Sequence, residues 1–200
     1  KYKDQHEVIW DMAVAMNKEL LALRDAGCKC IQIEEPTLHF WANTYGPDHD
    51  NVKFMIKAYN REVQGLDDVE IWIHTCWGNP NMQRVIDNDS YRACFELYLN
   101  ECRGDVWTIE TKDRNMREIE LFAPLKGKLK KKICIGAVSH RTLQVERPDD
   151  VAATIRQALK HIAPEQLIVS SDCGFGRQGC NRDIAFFKST AIAQGTNIVR

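Results

Sequence analysis

The chain has 200 residues, 27 basic against 28 acidic side chains, a formal net charge of −1 and 44% hydrophobic residues, the balance of a globular chain rather than a disordered or fibrous one. That balance supplies no positive field for phosphates, which excludes nucleic acid as the main partner. No apolar run approaches the roughly 18 residues of a membrane-spanning helix, and Lys1-Tyr2-Lys3-Asp4 lacks the apolar core of a signal peptide, so a reducing cytosol is the expected setting.

Short β-rich apolar runs alternate with longer helix-patterned segments, the mark of parallel βα units. In chain order, helix patterns are expected at about residues 4–26, 50–65, 90–103, 114–122, 149–162 and 181–193. Strands are expected at 30–35, 70–76, 105–110, 132–138 and 166–173. Asp149 and Asp150 after Pro148 suit the first turn of a helix, where carboxylates complement the exposed amides. Each strand ends in polar or reactive residues: Glu34-Glu35, His74 and Cys76, Glu110, Ser139-His140, and Asp172-Cys173.

Reactive groups at successive strand ends fit a (β/α)8 TIM barrel, whose active site is assembled at the carboxyl ends of its strands. A doubly wound open sheet is the competitor, but its glycine-rich phosphate loop is missing from the sequence, where Gly174-Phe-Gly176 is only a fragment of one. Five strands are too few for closure, so residues 1–200 read as a single barrel domain holding the C-terminal five βα units and lacking about three N-terminal ones. A half-barrel that dimerises is the alternative, and oligomeric state is not legible from sequence.

Eight cysteines without a secretion signal read as thiols or metal ligands rather than a disulfide framework. Cys28, Cys30, Cys94, Cys102 and Cys134 lie in apolar, periodic segments and are expected to pack as small hydrophobes. His74 and Cys76, two residues apart at one strand end, join Glu110 and Cys173 at the ends of two others. Two thiolates, an imidazole and a carboxylate suit Zn2+ better than Mg2+ or Ca2+, which want oxygen. Each residue also has an ordinary reading, as part of a chance His-x-Cys, a solvated or paired carboxylate or a turn cysteine, and spacing alone leaves both open.

Four ordered motifs go further: Ile31-Gln-Ile-Glu-Glu-Pro36, His74-Thr-Cys76, Thr108-Ile-Glu-Thr111 and Ser171-Asp-Cys-Gly174. With the C-terminal Ala193-Gln-Gly-Thr-Asn-Ile-Val-Arg200, the sequence resembles the catalytic domain of cobalamin-independent methionine synthase and its relatives, which include epoxyalkane:coenzyme M transferase. The resemblance implies a (β/α)8 barrel with catalytic zinc held by His74, Cys76, Glu110 and Cys173. It implies transfer of a methyl group from a methyl-folate-type donor to a homocysteine-type thiol, giving a thioether. It also makes His140, in Gly136-Ala-Val-Ser-His140, the general acid for the leaving group, and Glu34 the substrate contact where the synthases carry an aspartate. The partners are then a small-molecule thiol and a methyl or alkyl donor, with neither nucleic acid nor membrane.

Two departures matter. Cys76 and Glu110 are 34 positions apart, longer than the synthases' usual spacing, and His140-Arg-Thr-Leu-Gln-Val-Glu146 looks closer to the coenzyme M transferase-like relatives. An alkyltransferase or lyase joining coenzyme M to an epoxide is therefore the alternative, and Arg141 or Arg177 in contact with a sulfonate would favour it. A zinc-binding barrel without turnover is the third reading. Trp77 and Asn79 are expected at the pocket wall, Glu35 before Pro36 as a strand terminator, and His6, His39, His49 and His161 as structural.

Overall fold

The computed structural model describes residues 2–35, 37–78, 89–176 and 179–200. Pro36, Asn79 and Arg177 lie outside the described residues. Strands β1 (Cys30–Glu34), β2 (Glu70–Thr75), β3 (Val106–Ile109), β4 (Lys132–Val138) and β5 (Leu167–Ser171) form one five-stranded sheet in chain order. Helices α1 (Gln5–Asp25), α2 (Leu38–Tyr45), α3 (Asp50–Glu62), α4 (Pro148–Leu159) and α5 (Arg182–Val199) accompany them. Parallel strands in chain order with intervening helices are the arrangement of part of a (β/α)8 barrel. The chain divides into two compact units, residues 1–74 with 90–106, and 75–89 with 107–200.

In the first unit, α1 starts where Asp4 accepts from Glu7 N at 3.0 Å and stops before Gly27, whose φ of +98° favours glycine. Asn17, buried in α1, donates to the carbonyls of Glu62 and Gln64 at 2.8 Å each, tying α1 to the end of α3. His49 caps α3, and His6 stacks on Phe54 with ring centroids 4.1 Å apart. The core is built on Leu38, Val52, Ile56, Tyr59, Ile73 and Tyr98, all nearly inaccessible. The register of β1 on β2 runs from Cys30 opposite Glu70 to Glu34 opposite His74.

Burial lifts the Glu62 carboxyl to about 7, with Glu35 adding repulsion. A carboxyl raised in the folded state keeps its proton when the unfolded chain has lost it. Stability therefore falls as pH rises from the ordinary carboxylate range to about 7 and is flat above it. Glu62→Gln is expected to flatten that slope in urea titrations at successive pH values, and an unchanged slope counts against it.

In the second unit, Ala137, Val138, Val151, Ile155 and Ala191 join β4, α4 and α5 in one core. Pro148 opens α4, with Asp149 and Asp150 in its first turn as the sequence predicts. Gly195 lets α5 approach α4 closely, since a Cβ there would fall 2.5 Å from Val151 Cβ. Lys188 of α5 is buried and donates to Gln144 O at 2.7 Å and Glu146 Oε2 at 2.8 Å, while Glu146 Oε1 accepts from Ser139 N at 2.7 Å. This strap ties the loop after β4 to α5. Removing one partner of a buried pair strands the other charge, so Lys188→Met is expected to cost about 3–5 kcal/mol in urea unfolding. A loss below about 1 kcal/mol would mean the pair is effectively solvated.

Three expectations are corrected. The segment 114–122 is not an α-helix: Asn115, Met116 and Glu118 have φ of 52°, 56° and 69°, and tight i→i+3 turns follow over Ile119–Leu125. The physical reason is Arg114, pulled inward by Asp89 at 2.7 Å and Glu118 at 2.9 Å. The segment 90–103 is not one regular α-helix but holds a tight i→i+3 turn over Arg92–Cys94 and a wide i→i+5 turn over Leu97–Glu101. Cys94, Cys102 and Cys134 are buried as expected, but Cys30 is exposed on the face of β1 that also carries Gln32 and Glu34.

Candidate metal and catalytic site

At the end of β1 in the first unit, both carboxylate oxygens of Glu34 lie 2.7–2.8 Å from His74 Nδ1. The parallel register makes this pair, because it places the two residues opposite one another. Glu34 is half exposed and also accepts from Gln32 Nε2 at 3.0 Å, whereas His74 is buried. A carboxylate on Nδ1 fixes that nitrogen as the N–H donor and leaves Nε2 as the basic one, the tautomer a ligating histidine needs.

The second unit begins one residue after His74. Thr75 accepts from Trp107 Nε1 at 3.2 Å and donates to Thr108 O at 3.1 Å, which anchors the chain just before Cys76. Cys76 Sγ lies 3.8 Å from Cys173 Sγ, and a Glu110 carboxylate oxygen is within 4.8 Å of the Cys173 sulfur. No disulfide joins the two cysteines. Glu110 is fully buried, and its Oε1 accepts from Trp77 N at 3.2 Å. Gly78 N donates to Cys76 Sγ at 3.4 Å, a contact that favours thiolate. By contrast, burial pushes the Cys134 thiol up to about 12, as expected of an inert core cysteine. The unit therefore gathers Cys76, Glu110 and Cys173 at the ends of separate strands. Two sulfurs and a buried carboxylate form a donor set that fits zinc and leaves room for further ligands.

A second cluster lies in the same unit. One ligand-type atom each of Asp113, His140 and Asp172 falls within 4.8 Å of the others. His140 is buried, and its Nδ1 lies 3.3 Å from Asp113 Oδ2. Arg141 holds its guanidinium 3.8 Å from both Glu110 and Asp113. Asp172, completely buried, accepts from the amides of Thr111 (2.7 Å), Lys112 (2.8 Å) and Asp113 (2.6 Å). Burial pushes its carboxyl well above the usual range, with Asp113 and Glu110 adding repulsion, while the Lys112 and Asp113 amides pull the other way.

Trp77 is buried against Arg114, whose guanidinium carbon lies 5.4 Å from the ring centroid. Burial disfavours the charged form of Asp89, yet Arg114 and Arg117 together hold its carboxyl below the usual range. Sequence reasoning did not single out Asp113 or Arg114, and it named Asp172 only as a polar residue at its strand end. Asp113 lay in a charged run, and only the tertiary fold reveals its neighbours.

Parallel βα units whose strand ends carry paired thiols and a buried carboxylate define an α/β-barrel chain with a candidate metal site. The chain belongs to the family described as cobalamin-independent synthase, catalytic domain, which it matches over residues 1–193. It is 30% identical over 199 residues to a methionine synthase of Sulfurisphaera tokodaii and 29% identical to one of Saccharolobus islandicus. The whole chain aligns in both cases but spans about half the length of these relatives, 51% and 53%. Among solved structures, a B12-independent methionine synthase from Shewanella sp. W3-18-1 in complex with selenomethionine superposes with a TM-score of 0.78 at 26% identity, covering 100% of this chain and 56% of that one. A putative vitamin-B12-independent methionine synthase from Listeria monocytogenes, at 21% identity and a TM-score of 0.64, shares the fold, with coverage of 98% and 56%.

Proposed function

We propose that this chain carries the zinc-dependent thiol methyl-transfer site of a methionine synthase-type enzyme. The observation that supports it best is the Cys76–Cys173 approach of 3.8 Å beside the buried Glu110 carboxylate. His74, held by Glu34 as the Nδ1–H tautomer and only two residues before Cys76, is the fourth ligand in this reading. When bound, zinc supplies the charge that keeps an acceptor thiol deprotonated near neutral pH.

The remaining chemistry belongs to the protein. The acceptor sulfur attacks the methyl carbon of a folate-type donor, a sulfur–carbon bond forms, and the carbon–nitrogen bond breaks with its electron pair going to the leaving nitrogen. His140 supplies the proton that the nitrogen takes up, work suited to an imidazole because that group as a class titrates near neutrality. Glu34, half exposed at its strand end, offers its charge to the amino group of a homocysteine-type acceptor while still engaging His74. Buried Glu110, Trp77 and His140 help exclude water from the reacting atoms.

Arg141 approaches Glu110 and Asp113 only at 3.8 Å, so the preference for an amino thiol over a sulfonate acceptor rests on the Glu34 carboxylate, whose charge suits an amino group. A cytosolic setting accords with this reading, since Cys76 and Cys173 must stay reduced to bind metal. No helix among the described residues is long and apolar enough to cross a membrane. The test is an assay of the full chain with methyltetrahydrofolate and homocysteine, or with coenzyme M and an epoxide, read by mass spectrometry. Methionine from the first pair supports the proposal, a coenzyme M adduct alone supports the alternative, and neither product overturns both.

A further inference from the structure

We infer that Asp113 is the positioning residue of His140, acting on its Nδ1 and itself fixed by Asp172. The inference deepens the proposed function, which assigns His140 the proton but leaves open what orients it.

Three observations meet at this point. His140 Nδ1 lies 3.3 Å from Asp113 Oδ2 although the imidazole is buried. A carboxylate oxygen 3.3 Å from one nitrogen of a buried ring, although outside hydrogen-bond geometry, favours by its charge the tautomer that puts the proton on that nitrogen. With Nδ1 carrying the proton, Nε2 becomes the nitrogen that can take up a second proton and release it to substrate. Asp113 is also not an ordinary loop residue free to swing. Its amide donates to Asp172 Oδ2 at 2.6 Å, and the amides of Lys112 and Thr111 donate to Asp172 Oδ1 at 2.8 and 2.7 Å. Asp172 N in turn donates to Val138 O at 3.1 Å, on the same strand β4 that leads into His140. Thr111 Oγ1 donates to Gly136 O at 2.6 Å, also on β4. The backbone bearing Asp113 and the backbone bearing His140 are therefore locked together twice.

The competing role for Asp113 is a simple ion pair with Arg141. That contact is longer, at 3.8 Å, and Arg141 shares it with Glu110. Nor is Glu146 the partner of His140, because its two oxygens are engaged by Ser139 N and Lys188.

The experiment uses the full chain labelled with 15N-histidine, His140 being assigned by loss of its signals in His140→Asn. Long-range 15N–1H correlation above the imidazole's titration range is expected to show Nδ1 protonated in the parent. In Asp113→Ala the ring is expected to shift toward the Nε2–H form. Asp113→Asn, nearly isosteric, guards against a folding defect. Methyl-transfer kinetics supply the second readout: kcat of Asp113→Asn falls about 100-fold with the thiol KM and metal content unchanged. Because Asp113 acts through His140, the double variant with His140→Asn is expected to be no slower than His140→Asn alone. An unchanged tautomer in Asp113→Ala overturns the inference, as do losses that multiply in the double variant. If the parent transfers no methyl group, the proposed function fails, and the tautomer still decides the role of Asp113.

Discussion

Gly136→Ala is expected to destabilise the chain by more than about 3 kcal/mol, beyond the usual range for overpacked positions. A Cβ at residue 136 would lie 1.9 Å from Asp172 Oδ1, 2.5 Å from Asp172 Cα and 2.6 Å from Asp172 N. Two of these three atoms are backbone, so no side-chain rotation relieves the clash. Either β4 and the end of β5 separate, or the Asp172 carboxylate leaves the three amides it now accepts from. Vacating that cradle leaves buried amides unpaired, at about 1–3 kcal/mol each. A domain holds only about 5–15 kcal/mol in total, so the variant is expected to unfold at markedly lower urea or to fail to accumulate. A urea midpoint equal to the parent's would show that the approach of Gly136 to Asp172 is not a constraint.

Cys173→Ser is the second large effect, and it concerns metal rather than fold. The substitution replaces one of two sulfurs 3.8 Å apart with a hydroxyl, a far weaker zinc donor at neutral pH. Bound zinc is expected to fall from about one per chain to under a tenth of that, with methyl transfer lost by about 1,000-fold or more. Cys76→Ser is expected to match it. Cys30→Ser, altering an exposed thiol on β1, is the control and should retain the parent's zinc and turnover. Zinc retained in both Cys76→Ser and Cys173→Ser would place the metal elsewhere.

Much of the fold is legible in sequence because parallel strands announce themselves as short β-branched runs such as Lys132-Ile-Cys-Ile-Gly-Ala-Val138 and Gln166-Leu-Ile-Val-Ser-Ser171. All five expected strands form, each within two residues of its expected limits at either end. Helix α2 is not legible: Leu38-His-Phe-Trp-Ala-Asn-Thr-Tyr45 is short and aromatic-rich, with too few turns to show a period. Its start is fixed instead by Glu35, whose Oε1 accepts from the amides of Thr37 and Leu38 at 3.1 and 3.0 Å. The helix expected at 114–122 has a fair apolar period, but the buried Arg114–Asp89 pair overrides it, and Asp89 is 25 positions away in sequence. The exposure of Cys30 could have been read from strand alternation, since it shares a face with Gln32 and Glu34.

At the site, strand ends pointed to Cys76, Glu110 and Cys173, and the fold brings those three together in one unit. Glu34 is found on His74, a pairing that follows from register and that no single-strand argument could supply. The Asp172 clamp and the approach of Asp113 to His140 were hidden for the same reason. Each joins residues tens of positions apart, through atoms that sequence spacing does not bring into view.

The central claim is a zinc ion held by this donor set and open to an acceptor thiol. Elemental analysis of the full chain combined with zinc X-ray absorption, before and after adding homocysteine or coenzyme M, tests it most directly. The expected result is about one zinc per chain with two sulfur neighbours, and a third sulfur neighbour on adding homocysteine but not coenzyme M. Absence of zinc, or a zinc environment that no thiol changes, would contradict it.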